Sequence, residues 1–174
     1  MSELSVVLCL LLALSPSCSV VPGDRSPSPT SGTSSAVVDR VVDGDTVVLR
    51  IRGTNEHARL IGIDTPETVK PNTPVECFGP EASKRLQTLL PRGTRVRVAR
   101  DIEGRDRFGR LLVYLWRRPD EHFVNLDLIE AGYARTLVIA PNLAYRDQFG
   151  RSAALARSDR LGLWGSCPVD AGHR

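Results

Sequence analysis

Aromatic residues, cysteines and long apolar runs are all scarce in this chain of 174 residues. Four Phe, two Trp and three Tyr residues are too few for an extended surface on which bases could stack. Four cysteines are too few for a small domain held together mainly by disulfides. Charged residues make up 25% of the chain and the mean hydropathy is −0.13, which excludes a protein with several membrane spans. The length suits one domain with a substantial core.

Lysine is also nearly absent, because Lys70 and Lys84 stand against 21 arginines. The formal net charge of +3 excludes a histone-like polycation. Positive charge is concentrated in residues 92–118, where nine arginines accompany three acidic residues. A solvated strand face explains most of these arginines equally well, and a subset is left for contact with a polyanion. Composition therefore allows an anion-binding globular domain and goes no further.

The N-terminal region contains one apolar run, at residues 6–14, that is nine residues long. A transmembrane helix needs about 20 residues, so this run is too short for a lasting anchor. We expect residues 1–19 to be a signal peptide or a lipoprotein leader, although no Lys or Arg precedes the run. Cys18 is the possible lipidation site, and simple secretion is the open alternative.

Residues 20–36 have the composition of a linker. Twelve of the fifteen residues from 22 to 36 are Ser, Pro, Thr or Gly. Such a segment buries too little apolar surface to offset the entropy lost on ordering, so we expect a disordered linker. The globular domain is then expected over residues 37–167, followed by a C-terminal tail at 168–174.

The domain alternates β-branched runs with turn and helix signals. Residues 37–42 and 46–52 flank Asp43-Gly44-Asp45, which predicts a hairpin. The other predicted strands and helices, in chain order, are strand 57–63, helix 79–90, strands 95–99 and 111–116, helix 124–131 and a last helix ending near 161. On this last helix, Tyr145, Phe149, Ala153 and Ala156 recur at helical spacing and are predicted to face the core. This order predicts a mixed α+β fold with a small barrel.

Three charged clusters stand beside these predicted strands. The first is the turn at 43–46, whose spacing excludes an EF-hand because positions five and twelve are Val47 and Thr54. The second, at 59–67, ends a strand with hard carboxylates of the kind that bind Ca²⁺ or Mg²⁺. It requires a bend, since Arg59 and Asp64 are five residues apart and strand residues share a face only at even spacing. The third is a turn at 106–110.

Six strings follow one another between about residues 37 and 164: VDGDTV, RLIGIDTPET, FGPEAS, DRFGR, VNLDLIEAGYA and LGLW. Together they closely resemble the staphylococcal nuclease (thermonuclease) family. The resemblance implies an α+β OB-fold, in which a five-stranded β-barrel carries three helices. It also implies an exported bacterial enzyme that uses Ca²⁺ to hydrolyse phosphodiester bonds of DNA and RNA, leaving 3′-phosphate ends.

The resemblance assigns roles to the acidic clusters. Asp45 and Asp64 match carboxylate ligands of Ca²⁺, and Thr65 matches a ligand that binds through its backbone carbonyl. Glu67 matches the acid that positions or deprotonates the attacking water. Asp43 matches an acid near the metal that does not bind it directly.

Arginines complete the implied site. Arg59 and Arg110 match the two guanidinium groups that bind the reacting phosphate and offset the charge that develops during attack. Arg107 and Phe108 are expected to contact substrate. Phe108 and Leu137 each replace a Tyr of the family pattern, so we expect activity to survive with altered affinity or product preference.

Cys77 and Cys167 both lie in the expected domain. For an exported protein, one disulfide between them is the natural interpretation, and two free buried thiols are the alternative. The sequence contains no CxxC motif, and its three histidines lack ligand spacing, so a zinc site is not expected.

Two functions remain open from the sequence. The first is the calcium-dependent nuclease, expected to be a monomer that prefers single-stranded DNA and RNA. It would be secreted or tethered to the outer face of the bacterial cell envelope, contacting the membrane only through its leader or a lipid anchor. The alternative is a non-catalytic OB module that only binds nucleic acid. Calcium-dependent cleavage distinguishes the two.

Overall fold

A computed structural model describes residues 31–68 and 74–168. The expected leader with Cys18, and residues 169–174 of the expected tail, lie outside the described residues. Within the described ranges, no helix is both long and apolar enough to span a membrane.

The described residues form a barrel with helices packed outside it. Its strands are β1 (Ser31–Asp43), β2 (Thr46–Ile51), β3 (Thr54–Leu60), β4 (Ile63–Asp64), β5 (Arg95–Arg100), β6 (Leu111–Arg117), β7 (His122–Phe123) and β8 (Arg135–Thr136). Its helices are α1 (Gly79–Leu89), α2 (Val124–Glu130), α3 (Arg146–Ser158) and the single turn α4 (Leu163–Ser166). The predicted order of strands and helices is therefore confirmed, with β4, β7, β8 and α4 as short additions.

Five strands close into a barrel. Neighbours in the order β3-β2-β1-β5-β6 pair antiparallel, and a parallel pairing of β3 with β6 joins the two ends. Alternate residues such as Val47, Leu49 and Val98 point inward and are fully or almost fully buried. This closed mixed barrel, with its three longer helices, confirms the α+β OB-fold.

Strand β1 begins earlier than the composition suggested. Ser34 pairs with Val98 on β5, and Ala36 pairs with Val96 and is 5% exposed. Residues 31–36 therefore differ from the disordered linker expected for residues 20–36. Backbone pairing with an existing strand needs no apolar side chain, so a Ser-rich segment can extend a sheet once its partner is in place.

The predicted third strand is divided into β3 and β4 by a turn at Gly62. Gly62 has a φ of +80°, and an added Cβ would lie 2.6 Å from Cε2 of Phe149. Only glycine fits both the backbone conformation and the space. After the turn, Ile63 and Asp64 pair with β8 instead of β2. This turn provides the bend that Arg59 and Asp64 require.

An aromatic cluster fastens α3 to the outside of β6. Its members are Tyr114, Trp116, Phe123, Tyr145 and Phe149, whose rings stack, tilt against one another or meet edge to face. Tyr145, Phe149 and Ala156 are buried, and Ala153 packs against the core, which confirms the predicted apolar face of the last helix. More than half of the scarce aromatic residues are therefore used in packing.

A disulfide joins the segment before α1 to the chain after α4. Cys77 and Cys167 are bonded across a separation of 90 residues, with their Cα atoms 5.9 Å apart. Among the described residues no strand pairing links these two segments, so the bond connects two otherwise separate ends of the domain.

Candidate active site

Two carboxylates from separate elements converge on one guanidinium group. Asp45 lies in the β1–β2 turn and contacts Nη1 of Arg59 through Oδ2. Asp64 ends β4, and its Oδ1 accepts a hydrogen bond of 2.8 Å from Nη2 of Arg59. Only 13% of the Arg59 side chain is exposed. The first and second charged clusters of the sequence thus form a single site.

Thr65 holds the Asp45 carboxylate in place. Its backbone N–H and its hydroxyl both donate to Oδ2 of Asp45, over 3.1 and 3.2 Å. A Cβ added to Gly44 would lie 2.6 Å from the Thr65 Oγ1 atom, so a side chain there would push the turn away. The glycine of the DGD turn is therefore needed for close packing.

Asp43 connects the same turn to α1 and to the loop after β4. Its Oδ1 atom accepts hydrogen bonds from Gly44 N, Thr68 Oγ1 and Ser83 Oγ, at 2.8, 2.6 and 2.8 Å. Three donors on one oxygen satisfy a carboxylate that is only 7% exposed. Asp43 thus organises the loop beside the convergent pair of Asp45 and Asp64.

Glu67 lies on that loop, three residues after Asp64. Its contacts include a hydrogen bond of 3.0 Å from the Thr68 N–H to its Oε1 atom. Its own N–H donates to Oε2 of Glu76 over 3.2 Å, and Glu76 N–H donates back to the Glu67 carbonyl. Thr68 therefore contacts Glu67 through its backbone and Asp43 through its hydroxyl.

Arg110 is positioned by the turn at residues 106–110. Asp106 Oδ1 accepts from the N–H groups of Phe108 and Arg110, each at 2.9 Å, and Oδ2 accepts from Arg110 Nε at 2.7 Å. Partial burial alone would raise the pKa of Asp106. The hydrogen bonds and charge of Arg110 outweigh it and hold the pKa below its usual value.

The two arginines border one cavity of about 520 Å³. Burial lowers the pKa of Arg59, and the nearby charge of Arg110 lowers it further, against the opposing effect of Asp64. An arginine nevertheless remains protonated at neutral pH. Two arginines that border one opening can bind an anion, because a bound phosphate would relieve the repulsion between their guanidinium groups.

Much of the remaining wall of this cavity is apolar, although Glu103 and Asn142 also line it. Leu137 and Ile139 line it, and Phe108 stands at its rim with 69% of its surface exposed. The guanidinium carbon of Arg107 lies 4.8 Å from the centre of the Phe108 ring. The cavity can therefore hold an anion against Arg59 and Arg110 and a flat or apolar group against Leu137 and Ile139.

Several residues that position this site were not singled out from the sequence. They are Thr68, Glu76, Ser83 and Asn125. Buried Asn125 accepts from Leu115 N–H and donates to the carbonyl of Ile61, just before the turn that leads to Asp64. Three of the four lie within the family-like strings, which could have pointed to them, whereas no quoted string contains Glu76.

The donor set fits a hard divalent cation. Within residues 31–68 and 74–168, no group of three or more His, Cys, Asp or Glu side chains is arranged to hold a metal. However, Asp45 and Asp64 already direct carboxylate oxygens at one positive group, Arg59. Two carboxylates and one backbone carbonyl would leave further positions for water and phosphate oxygens, and Ca²⁺ accepts about 6 to 8 such ligands.

Comparisons with known proteins identify the family of this chain. The sequence model of the family described as staphylococcal nuclease homologue matches residues 57–166. A thermonuclease of Staphylococcus intermedius is 43% identical over 130 residues, which cover 75% of this chain and 76% of that protein. A thermonuclease of Staphylococcus hyicus is 36% identical over 146 residues, covering 81% and 85% of the two chains. Endonuclease YncB of Bacillus subtilis is 38% identical over 128 residues, covering 73% and 60%.

The family match covers more than half of the chain, and its matched residues contain the bend, the Asp106 turn and both cavity arginines. The similarity to the two thermonucleases covers three quarters or more of both chains in each comparison. This protein is a nuclease, and the chain belongs to the staphylococcal nuclease family.

Proposed function

We propose that this nuclease is calcium-dependent and hydrolyses phosphodiester bonds of DNA and RNA at the cavity bordered by Arg59 and Arg110. The observation that carries the proposal is the position of these two cations beside the convergent carboxylates of Asp45 and Asp64. The arrangement supports both anion binding and cation binding within one site. Nucleic acid provides the anion in the form of its backbone phosphate.

The first step is binding of the phosphate by the arginine pair. Each guanidinium group presents planar N–H donors that match two phosphate oxygens. Asp106 binds Nε of Arg110, which lines the cavity, and this leaves the Nη atoms available to a phosphate. The same donors stabilise the negative charge that grows on the non-bridging oxygens during attack.

Asp45, Asp64 and the backbone carbonyl of Thr65 would hold Ca²⁺, with Asp43 supporting the turn. The ion, when bound, supplies charge neutralisation and polarisation at the phosphate. Arg59 then exchanges part of its contact with the two carboxylates for contact with the phosphate. The hydrogen bonds from Thr65 to Asp45 keep that carboxylate in place during this exchange.

Glu67 is proposed to act as the general base. A carboxylate oxygen takes a proton from water as the water oxygen forms a bond to phosphorus. The bond from phosphorus to the 5′ oxygen of the next nucleotide breaks, and that oxygen leaves with a proton from solvent. The phosphate stays on the 3′ oxygen, which agrees with the product that the family resemblance implies.

The apolar wall favours substrates whose bases are unpaired. A base can reach Leu137 and Ile139 only after it leaves a helical stack, so single-stranded DNA and RNA are the proposed preferred substrates. With Phe108 and Leu137 in this region, the base is held by apolar contact instead of tyrosine hydroxyl groups.

We also retain the proposals about export. The chain is proposed to act as a monomer outside the cell, after removal of residues 1–19 or after lipid attachment at Cys18. Mass spectrometry of the mature protein distinguishes the two routes, because a diacylglyceryl group adds mass at an N-terminal cysteine. Recovery from the producing cells of protein that still begins at Met1 would contradict both routes.

The decisive experiment incubates the purified full chain with single-stranded DNA and RNA, with Ca²⁺ or with a chelator. We expect cleavage only with Ca²⁺, and 3′-phosphate ends on the products. The Glu67→Gln variant should bind the same DNA with little cleavage, since it keeps the shape and loses the base. Binding without calcium-dependent cleavage by the natural chain would instead support the non-catalytic OB module.

A further inference from the structure

A second cavity lies at the opposite end of the barrel from Asp45 and Asp64. It has a volume of about 870 Å³, and four arginines line it: Arg50, Arg52, Arg95 and Arg118. The other lining residues are small, apolar or neutral, so no described lining residue is acidic. We call this feature the arginine cavity.

Strand register explains why these arginines lie together. Val37 on β1 pairs with Arg50 on β2 and with Arg95 on β5. Directly paired residues project from the same face of a sheet, so Arg50 and Arg95 flank Val37 on the outer face of the barrel. Arg52 follows in the β2–β3 turn, and Arg118 follows the end of β6. The barrel thus gathers four cations from separate segments.

These cations differ from the other arginines of the same region. Arg97, Arg105, Arg110 and Arg117 each form an ion pair with an acidic side chain. In contrast, Arg50, Arg52 and Arg95 are exposed and form no ion pair with any described residue. Arg118 shares Glu121 with Arg97. Repulsion among neighbouring cations would be relieved by an external anion.

The backbone at Arg52 supports a role for its side chain. Arg52 and Gly53 form the two-residue turn between Ile51 and Thr54, with φ values of +50° and +87°. Such turns favour Asn or Gly at the first position, because a larger side chain is strained in the left-handed region. An arginine at this position places a cation at the mouth of the cavity in spite of that strain.

The outer face of β3 connects the arginine cavity to the candidate active site. Every second residue of the strand lies on this face, which includes Asn55, His57 and Arg59. Arg50 pairs with Asn55. The five steps from Thr54 to Arg59 span about 17 Å, which equals about five stacked nucleotides at 3.4 Å each. Glu56 points to the other face, where it binds Arg105.

We propose that the arginine cavity is a second phosphate-binding site, which holds the backbone of a nucleic acid strand remote from the bond being cleaved. The proposal rests on the nuclease function proposed above, because a nucleic acid bound at the active site can extend to this end of the barrel. A membrane surface is disfavoured, because none of the large exposed apolar side chains of the described residues lines the cavity.

The first test measures binding of a labelled single-stranded DNA of about 30 nucleotides by fluorescence anisotropy, with a chelator present to prevent cleavage. The test variant is Arg50→Ala/Arg95→Ala. The control is Lys84→Ala/Arg151→Ala, which removes the same charge from exposed positions on α1 and α3 that line neither cavity. Loss of two phosphate contacts should lower the slope of log Kd against log salt by about 1.4 and weaken binding about 25-fold at about 0.1 M salt.

The second test measures calcium-dependent hydrolysis of a dinucleotide, which is too short to reach the arginine cavity. The Arg50→Ala/Arg95→Ala variant should hydrolyse it with unchanged kcat and KM while its KM for the long strand rises. Arg52→Asn provides an independent check, because asparagine suits the turn. It should weaken binding of the long strand about fivefold, as one lost phosphate contact predicts, without lowering Tm.

Three outcomes would overturn the proposal. The first is unchanged Kd for the long strand in the test variant, and the second is equal weakening by the Lys84→Ala/Arg151→Ala control. The third is loss of sedimentation with phosphatidylglycerol vesicles in the test variant while DNA binding is unaffected, which assigns the cavity to a lipid surface. A natural chain that never cleaves, but whose DNA binding depends on Arg50 and Arg95, would refute the nuclease mechanism and support this binding site.

Discussion

The two ends of the barrel both gather arginines, but the surroundings of those arginines are opposite. At the candidate active site, Arg59 is buried between Asp45 and Asp64, and Arg110 is held by Asp106. At the arginine cavity, Arg50 and Arg95 are exposed and have no acidic partner among the described residues. The first pair has fixed positions, whereas the second pair has long side chains that are free to adjust.

This difference indicates two kinds of phosphate recognition. Catalysis needs guanidinium groups held within a fraction of an ångström, which requires partners that restrict their rotamers. Binding of a distant backbone phosphate needs only charge of the correct sign near the strand, and it varies with salt. Arginine content alone cannot separate these uses, but the partners of each arginine can.

The largest effect concerns the covalent link that supports the active-site end. Gly79 follows the disulfide-bonded Cys77 closely and packs against Thr68, which binds Asp43. Replacing both cysteines by serine (Cys77→Ser/Cys167→Ser) should lower the free energy of unfolding by about 4 to 5 kcal/mol, from the chain-entropy cost of a loop this long. Urea unfolding without reductant measures the change, with reduced natural chain as the control. The same stability in all three samples would contradict the prediction.

The next effect separates the two arginine groups by catalysis. Arg110→Ala should lower kcat on a dinucleotide about 100- to 1,000-fold, because one donor to the developing charge is lost. Arg50→Ala, at the other end, should leave that kcat unchanged. Arg110→Lys should recover little, since lysine keeps the charge and lacks the planar donors. Single-turnover cleavage measures all three variants, and a near-normal rate for Arg110→Ala would refute its assignment.

A smaller effect tests whether Asp106 fixes Arg110. Asp106→Asn keeps an acceptor for the backbone of the turn and removes the ion pair to Nε, so kcat should fall about tenfold to a hundredfold with circular dichroism unchanged. Because the folded-state pKa of Asp106 is depressed, its stabilisation is present above the unfolded pKa of about 3.9 and is lost as pH falls through the folded value.

The natural chain should therefore lose stability below about pH 4 more steeply than Asp106→Asn does. Thermal unfolding between neutral pH and pH 3 compares the two proteins. Parallel stability profiles would show that the ion pair with Arg110 adds nothing, and a normal kcat in the variant would show that Asp106 does not position the arginine.

The sequence predicted the barrel well where the signals are local. Asp43-Gly44-Asp45 between β-branched runs predicts the first hairpin, and Gly79-Pro80-Glu81 predicts the start of α1. It did not predict the start of β1 at Ser31 or the pairing of β4 with β8, because both depend on partners far along the chain. Strand pairing of this kind is decided by tertiary contacts.

The same division applies to the candidate site. The family-like strings located Asp45, Asp64, Arg59 and Arg110, and their catalytic roles remain predictions. They did not show that Asp43 binds Thr68 and Ser83, which are 25 and 40 residues away. Nor did the local charge excess at residues 92–118 show which arginines have acidic partners. Those partners come from several elements, so only the assembled fold identifies them.

The smallest effect lies at the turn that carries Arg52, where stability and binding are expected to change in opposite directions. Arginine at a φ of +50° is strained, whereas asparagine adopts this conformation readily, so Arg52→Asn should raise the free energy of unfolding by up to about 1 kcal/mol. Arg151→Asn, on exposed α3, is the matched control and should not stabilise the chain. If Arg52→Asn is more stable and also binds long single-stranded DNA less tightly, the charge at this turn is retained for binding. If it is less stable, the side chain of Arg52 contributes to folding, and the contrast between the two ends of the barrel is weakened.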